Sequence, residues 1–154
     1  MKIFINVLLI VIAVILQITF MPKIAFLGAF PNLILLVALS LIFIKKIEEA
    51  LLWIGLGGIL LDLFSPVHFG VYIVSLILIF AISYYLVNYV FSDFSLFLAA
   101  AIFFISSIIF NIIFLLYTHY FNLYLLEAVY TTLLGCMIYG IIRYYYKPSE
   151  EVKI

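Results

Sequence analysis

From Gly55 to Gly70 the chain reads GLGGILLDLFSPVHFG, an apolar run interrupted by glycines, one carboxylate and a Ser-Pro break, and this stretch decides the fold. At about 100° per helical residue, four of its small or polar residues fall within one sector of roughly 80°. These residues are Gly55, Gly58, Asp62 and Ser65. In lipid, small residues let another helix come close, and a carboxylate turns toward protein or trapped water. We therefore expect this helix to be central, with a packed inner face.

Composition places the chain in a membrane. Hydrophobic residues make up 70% of its 154 residues and charged residues 9%, and the mean hydropathy is +1.47. A soluble domain of this composition could not cover its surface with polar groups, whereas a bilayer solvates apolar side chains directly. The length leaves room for about five or six spans at roughly 20 residues each. Because Cys136 is the lone cysteine, neither an internal disulfide nor a zinc site built from cysteines can form.

The apolar runs predict an all-α integral membrane protein, a compact bundle of six transmembrane helices in a single domain over residues 1–147. The predicted spans cover about residues 3–21, 31–44, 50–64, 67–91, 95–117 and 125–143, and residues 148–154 form a short cytoplasmic tail. The second span would be about 21 Å long, which is short of a hydrocarbon core of about 30 Å. Because the third span is short too, we expect a hairpin that thins the bilayer or is shielded by longer neighbours.

Three other spans carry polar stripes on one helical face. The stripes are Asn6, Ala13 and Gln17 in the first span, Ala100, Ser107 and Asn111 in the fifth, and Thr131, Gly135 and Tyr139 in the sixth. Hydrogen bonds between helices are common in membrane bundles, so the stripe of the first span favours helix packing over ligand binding.

The distribution of Lys and Arg predicts the orientation. With six spans both termini lie on one side with six of the seven cations, and only Lys23 lies on the other side. This bias assigns the richer side to the cytoplasm. A polar group then lies near the outer face: Asp62, Ser65, His68, His119 and Glu127. It could form a proton or cation site, but polar residues at helix ends more often reach water or interfacial backbone.

No motif in the chain indicates catalysis. Neither histidine has His-Glu-x-x-His spacing, no Gly-x-Ser-x-Gly elbow occurs, and the close glycines lack the Lys of a phosphate-binding loop. An intramembrane protease with two aspartates would have only Asp62 as a candidate at depth. We therefore predict a protein that is not an enzyme, with no cofactor or metal site. Nucleic acid is not an expected partner, because no basic face is present.

The order of residues along the first four spans carries a family resemblance. Gln17 lies in the first span, Pro31-Asn32-Leu33 opens the second, and a charged turn follows. Then come Gly55, Gly58, Leu60-Leu61-Asp62, Ser65-Pro66 and Gly70. In this pattern, concentrated in residues 17–72, the chain resembles the rod shape-determining protein MreD family, and its size and predicted six spans agree. Members of that family often have Pro-Asp where this chain has Pro31-Asn32.

The resemblance implies a role in bacterial cell shape. It implies a component of the elongation machinery in the cytoplasmic (inner) membrane, which supports rod shape and lateral peptidoglycan synthesis without catalytic activity of its own. Its implied partner is an MreC-like bitopic membrane protein. Through that partner it would be linked to the actin-like MreB and to the cell-wall synthase formed by RodA and a class B penicillin-binding transpeptidase.

Two other functions stay open. The predicted bundle is similar to the substrate-binding subunits of energy-coupling-factor vitamin transporters, which are compact six-span proteins with an outward cavity. Those subunits usually carry an Ala-x-x-x-Ala pattern in the first span, whereas this chain has only Ala13 there. A small proton-coupled carrier would use Asp62 and Glu127, although no internal inverted repeat is visible.

For Asp62 we expect a structural role. Its carboxylate should accept hydrogen bonds from neighbouring helices or from amides around Ser65 to His68, closing the break before the fourth span. Asn would then replace Asp62 with modest loss. In a proton or cation carrier, by contrast, Asn should fold normally but abolish function.

The first testable prediction concerns topology. Lys46→Cys, in a Cys136→Ser background, should be protected from an impermeant thiol reagent added outside the cell, because the cation bias puts the Lys45–Glu49 turn in the cytoplasm. The measurement is labelling of intact cells against labelling after permeabilisation. Labelling at this position in intact cells would reject the orientation.

Overall fold

The computed structural model describes residues 2–25, 29–65, 69–90, 95–118 and 124–146. Its six α-helices are α1 (Lys2–Thr19), α2 (Leu33–Phe43), α3 (Ile47–Phe64), α4 (Val71–Tyr85), α5 (Leu96–Thr118) and α6 (Tyr124–Tyr145). A 3₁₀ turn, Met21–Lys23, follows α1, and a π-helical turn, Leu86–Val90, continues α4. Within these ranges every helix and turn agrees with the predicted all-α class, which is confirmed. The predicted tail lies outside the described residues.

Among the described residues, four helices are long and apolar enough to cross a membrane: Ile3–Lys23, Val71–Val90, Leu96–Leu116 and Leu125–Tyr145. The other two helices do not meet this criterion, each for a different reason. Helix α2 has only 11 residues, and α3 carries three carboxylates, Glu48, Glu49 and Asp62. Length and composition therefore support a multi-pass membrane protein, but they do not support the predicted count of six spans.

Helix α2 forms the centre of the bundle. Nine of its eleven residues are buried, and it contacts each of the other five helices. The prediction that the third helix is central is wrong, because α3 exposes Leu51, Ile59 and Leu63 on its outer side. A short helix that is apolar on every side is covered by neighbours all round, whereas a helix with one packed face lies at the edge of the core.

Helix α3 packs through two glycines. A Cβ atom at Gly58 would lie 3.1 Å from the backbone Cα of Ile73 in α4, and one at Gly57 would lie 2.7 Å from Cγ2 of Ile34 in α2. A Cβ at Gly55 would have no atom within 4 Å. The small face predicted from the sequence thus includes Gly58 but not Gly55, and Gly57 serves the second neighbour.

Side chains also join the start of α3 to the residue that follows α6. The Tyr146 hydroxyl donates to Glu49 Oε2 at 3.0 Å, and Lys46 Nζ lies 5.5 Å from the centre of the Tyr146 ring. Burial raises the pKa of the Tyr146 phenol, and the hydrogen bond and charge of Glu49 raise it further, so the hydroxyl remains a donor at neutral pH. The ring of Phe43, the last residue of α2, also meets the ring of Tyr139 in α6 edge to face, with 5.6 Å between the ring centres. The turn between α2 and α3 therefore lies at the same end of the bundle as the end of α6.

Gly58→Leu should destabilise the fold, because its side chain must push the α4 backbone at Ile73 away. We expect a loss of about 1 to 3 kcal/mol, measured as a lower unfolding midpoint in detergent and a lower folded yield. The matched control is Gly55→Leu, on the same helix with open space around it. Equal losses in the two variants would contradict the close contact between α3 and α4.

Candidate functional site

Asp62 caps the helix that follows its own. The side chain is 4% exposed near the end of α3. Its Oδ1 accepts the Tyr72 backbone N–H at 2.9 Å, and its Oδ2 accepts the Ile73 N–H at 3.0 Å. These amides belong to the first turn of α4, whose N–H groups have no partner within the helix and whose dipole favours a negative charge. Both carboxylate oxygens are thus committed to holding the start of α4.

Gly70 explains why α4 needs a cap from elsewhere. It is the N-cap residue of α4, it makes no side-chain hydrogen bond, and its φ of 101° lies in the left-handed region that favours glycine. A glycine provides the turn but has no side-chain acceptor for the amides of the first helical turn. The acceptor therefore comes from Asp62 on the preceding helix.

Gln17 caps the start of α2 from the preceding helix, as Asp62 caps the start of α4. Its Nε2 donates to the Pro31 carbonyl at 3.1 Å, and its Oε1 accepts the Leu33 N–H at 2.7 Å. Asn32, the N-cap residue, adds a bond from the Leu35 N–H to its Oδ1 at 3.2 Å. Pro31 has no N–H of its own to satisfy. The start of α2 is thus held by one side chain from α1 and one from its own N-cap.

The two caps occupy equivalent places. Gln17 lies two residues before the last residue of α1, and Asp62 lies two residues before the last residue of α3. Each reaches forward to the first turn of the next helix. The sequence pointed to both residues, and for Asp62 it left open either a neighbouring helix or the amides around Ser65 to His68. The structure shows the first of these, at Tyr72 and Ile73 of α4. The sequence signal that could have predicted such capping is a polar residue near the end of one apolar run, followed by Pro or Gly at the start of the next run.

The remaining predicted residues lie around these caps. Ser65 is half-buried and shares a side-chain hydrogen bond with Tyr72. Tyr72 links the two carboxylates, because its backbone N–H donates to Asp62 and its side chain lines the same cavity as Glu127. The predicted residues that lie outside the described parts of the chain are Pro66, His68 and His119.

A small polar cavity lies beside the start of α2. Its volume is about 60 Å³, which is room for a few water molecules. It is lined by Gln17, Phe30, Asn32, Tyr72, Phe110, Asn111, Phe114 and Glu127. Glu127, in the first turn of α6, is hydrogen-bonded to Asn111, whose Nδ2 donates to the Ser107 carbonyl at 3.0 Å. The cavity thus joins the α2 cap to polar groups of α5 and α6.

Aromatic rings form the apolar wall of this cavity. The Tyr72 ring lies 5.4 Å from that of Phe114 and 5.9 Å from that of Phe110, between centres. Such ring contacts are favourable beyond the apolar area that they bury. Within the described parts of the chain, no three His, Cys, Asp or Glu side chains are grouped so that they could hold a metal ion. The chemistry available here is therefore hydrogen bonding by amides, a phenol and one carboxyl group.

Exchanging Asp62 for Asn should cost more than its similar shape suggests. The structure shows two accepting oxygens, so the amide of Asn would leave one backbone N–H facing another donor. We expect a loss of about 1 to 3 kcal/mol for Asp62→Asn and a larger loss for Asp62→Leu. The measurement is the unfolding midpoint together with amide hydrogen exchange, which should rise first in residues 71–74.

Gln17→Leu is the matched control for these variants. It should raise exchange in the first turn of α2, residues 33–36, and leave the first turn of α4 protected. Asp62→Asn should give the reverse pattern. A uniform rise over both helices in either variant would contradict the assignment of one cap to each helix.

Comparisons with known proteins return no similar sequence or fold. No family model matches the chain, no curated protein matches it, and no solved structure matches it.

Proposed function

We propose that this chain is a non-enzymatic membrane component of the bacterial cell-elongation machinery. It supports rod shape and lateral peptidoglycan synthesis by binding an MreC-like bitopic protein, and through that partner it serves MreB and the synthase of RodA and its transpeptidase. The supporting observation is that the residues carrying the MreD resemblance have architectural roles. Gln17 and Asp62 cap helices, and Gly58 brings α3 against α4. A motif devoted to architecture suits a scaffold more than a catalyst.

We also propose that α2 and α3 cross the bilayer within the bundle, which gives six spans with both termini in the cytoplasm. Helix α6 has 22 residues and is about 33 Å long, enough to cross. At its start, α3 contacts Tyr146, the residue after α6, through Glu49. Near its end, it contacts the start of α4 at Tyr72 through Asp62. Its charged groups lie at its two ends, where they meet the interface or a helix cap. The short α2 is enclosed by the other helices and does not have to match the bilayer alone.

The polar cavity makes transport the second candidate function, but its size and contacts argue against that function. Its volume of about 60 Å³ supports a water-sized occupant rather than a vitamin, since drug-sized ligands occupy pockets of roughly 300 to 1,000 Å³. A proton-coupled carrier built on Asp62 and Glu127 is also less favoured, because both oxygens of Asp62 accept backbone N–H groups. The scaffold is therefore the better supported function.

Copurification from the native membrane tests this proposal. A tagged chain, extracted in mild detergent, should bring down an MreC-like bitopic protein. An ATPase-bearing complex in its place would support the transport function and reject the scaffold. The control is Leu63→Ala, which trims an exposed side chain next to Asp62 and should retain the partner.

Rod-shape complementation gives the second readout. Asp62→Asn, which keeps one acceptor, should still support rod shape, whereas Asp62→Leu should lose both rod shape and the partner as the start of α4 opens. Cell width and the yield of the partner are measured together. An Asp62→Asn protein that folds and keeps its partner but does not sustain rod shape would overturn the structural role and favour transport.

A further inference from the structure

Asn32 carries a buried donor without a partner in the structure. The residue is 5% exposed, and its Nδ2 makes no hydrogen bond. The orientation of the amide is set by its other atom, because Oδ1 accepts the Leu35 N–H as the N-cap of α2. Flipping the amide would turn a donor onto that N–H, so the nitrogen must point away from the helix. A buried donor left unpaired costs about 1 to 3 kcal/mol, so an acceptor is expected next to it.

The cavity beside Asn32 defines what that acceptor can be. Its other polar wall carries Glu127, whose carboxyl group has room for bonds beyond the one with Asn111. An occupant must therefore accept a hydrogen bond at one end and donate one at the other. A metal cation would face the amide N–H, and an anion would face the carboxylate, so neither suits both walls. The volume of about 60 Å³ limits the occupant to the size of a few water molecules.

We propose that this cavity is a binding site for ordered water, which accepts from Asn32 Nδ2 and donates to the Glu127 carboxyl group. Such water would connect the start of α2 to α6 across the interior of the bundle. It also solvates the half-buried carboxyl group of Glu127, whose desolvation is costly. The proposal stands on the orphan donor and the cavity and does not depend on the cell-elongation role.

Radiolytic labelling of the full chain in lipid nanodiscs tests for this water. Bound water is activated in place by an X-ray pulse and oxidises the side chains beside it, whether or not they are exposed. Phe110 lines the cavity and is only 6% exposed, whereas Phe103 lies in the apolar core at 0%. We expect Phe110 to be labelled several-fold faster than Phe103. Equally slow labelling of the two rings would overturn the proposal, because it would mean a dry cavity.

A pair of substitutions assigns the water to this site. Glu127→Leu, which replaces the carboxyl group with an apolar chain that does not trap radicals, should reduce Phe110 labelling several-fold while Phe103 labelling stays slow. Glu48→Leu, at the opposite end of the bundle, should leave Phe110 labelling unchanged. Phe110 labelling that survives Glu127→Leu in a folded protein would overturn the bridge to Glu127. Unfolding would reveal itself by new labelling at Phe103, and the result for the unsubstituted protein holds in either case.

Salt exchange separates water from a bound cation. The unfolding midpoint should be the same in sodium, ammonium and choline chloride at equal ionic strength, because water needs no counter-ion. A midpoint raised by sodium or ammonium alone, with the increase lost in Glu127→Leu, would replace the water site with a cation site and reject the proposal.

Discussion

Backbone N–H groups at the start of a buried helix must find acceptors, and this constraint organises the whole bundle. At a surface, water accepts hydrogen bonds from such groups, but an apolar interior contains no acceptor for them. Helices α2 and α4 both begin against the preceding helix, where Gln17 and Asp62 supply the missing oxygens. Because a side chain reaches only a few ångströms, each cap fixes the height of one helix relative to the next. The registers of α1 with α2 and of α3 with α4 follow from that.

Close packing and capping depend on each other at α4. Ile73 is the residue whose N–H is held by Asp62, and its Cα is the atom that a Cβ at Gly58 would meet. Gly58 and Asp62 are four residues apart, one turn of α3, so they present neighbouring positions to the same partner. The glycine lets the α4 backbone come near, and the carboxylate can bond to it only at that distance. The Gly-x-x-x-Asp spacing is therefore one device for joining two helices.

The sequence predicted the helical membrane class, the face of α3 that carries Gly58 and Asp62, and the acceptor role of the Asp62 carboxylate, because these follow from composition and period. For Gln17 it predicted a hydrogen bond between helices but not the capping of α2. It misplaced the centre of the bundle, since burial of α2 on all sides leaves no polar face to detect. Gly57 was missed because one sector of small residues on the helical wheel was expected to face one neighbouring helix. Helix α3 instead packs against both α2 and α4. The orphan donor of Asn32 could not be predicted, because it depends on which of its atoms the Leu35 N–H occupies.

Polar residues gather in one place here for an energetic reason that does not require a substrate. Gln17 and Asn32 enter the interior to satisfy the start of α2, and they line the cavity that also holds Glu127. Once such groups are present, another polar group costs less beside them than in a fully apolar position, because hydrogen bonds and water can be shared. A polar cluster inside a small membrane bundle can thus be a product of helix capping. That origin is consistent with a protein whose task is to hold a shape for a partner, and it makes the cluster alone a weak argument for transport.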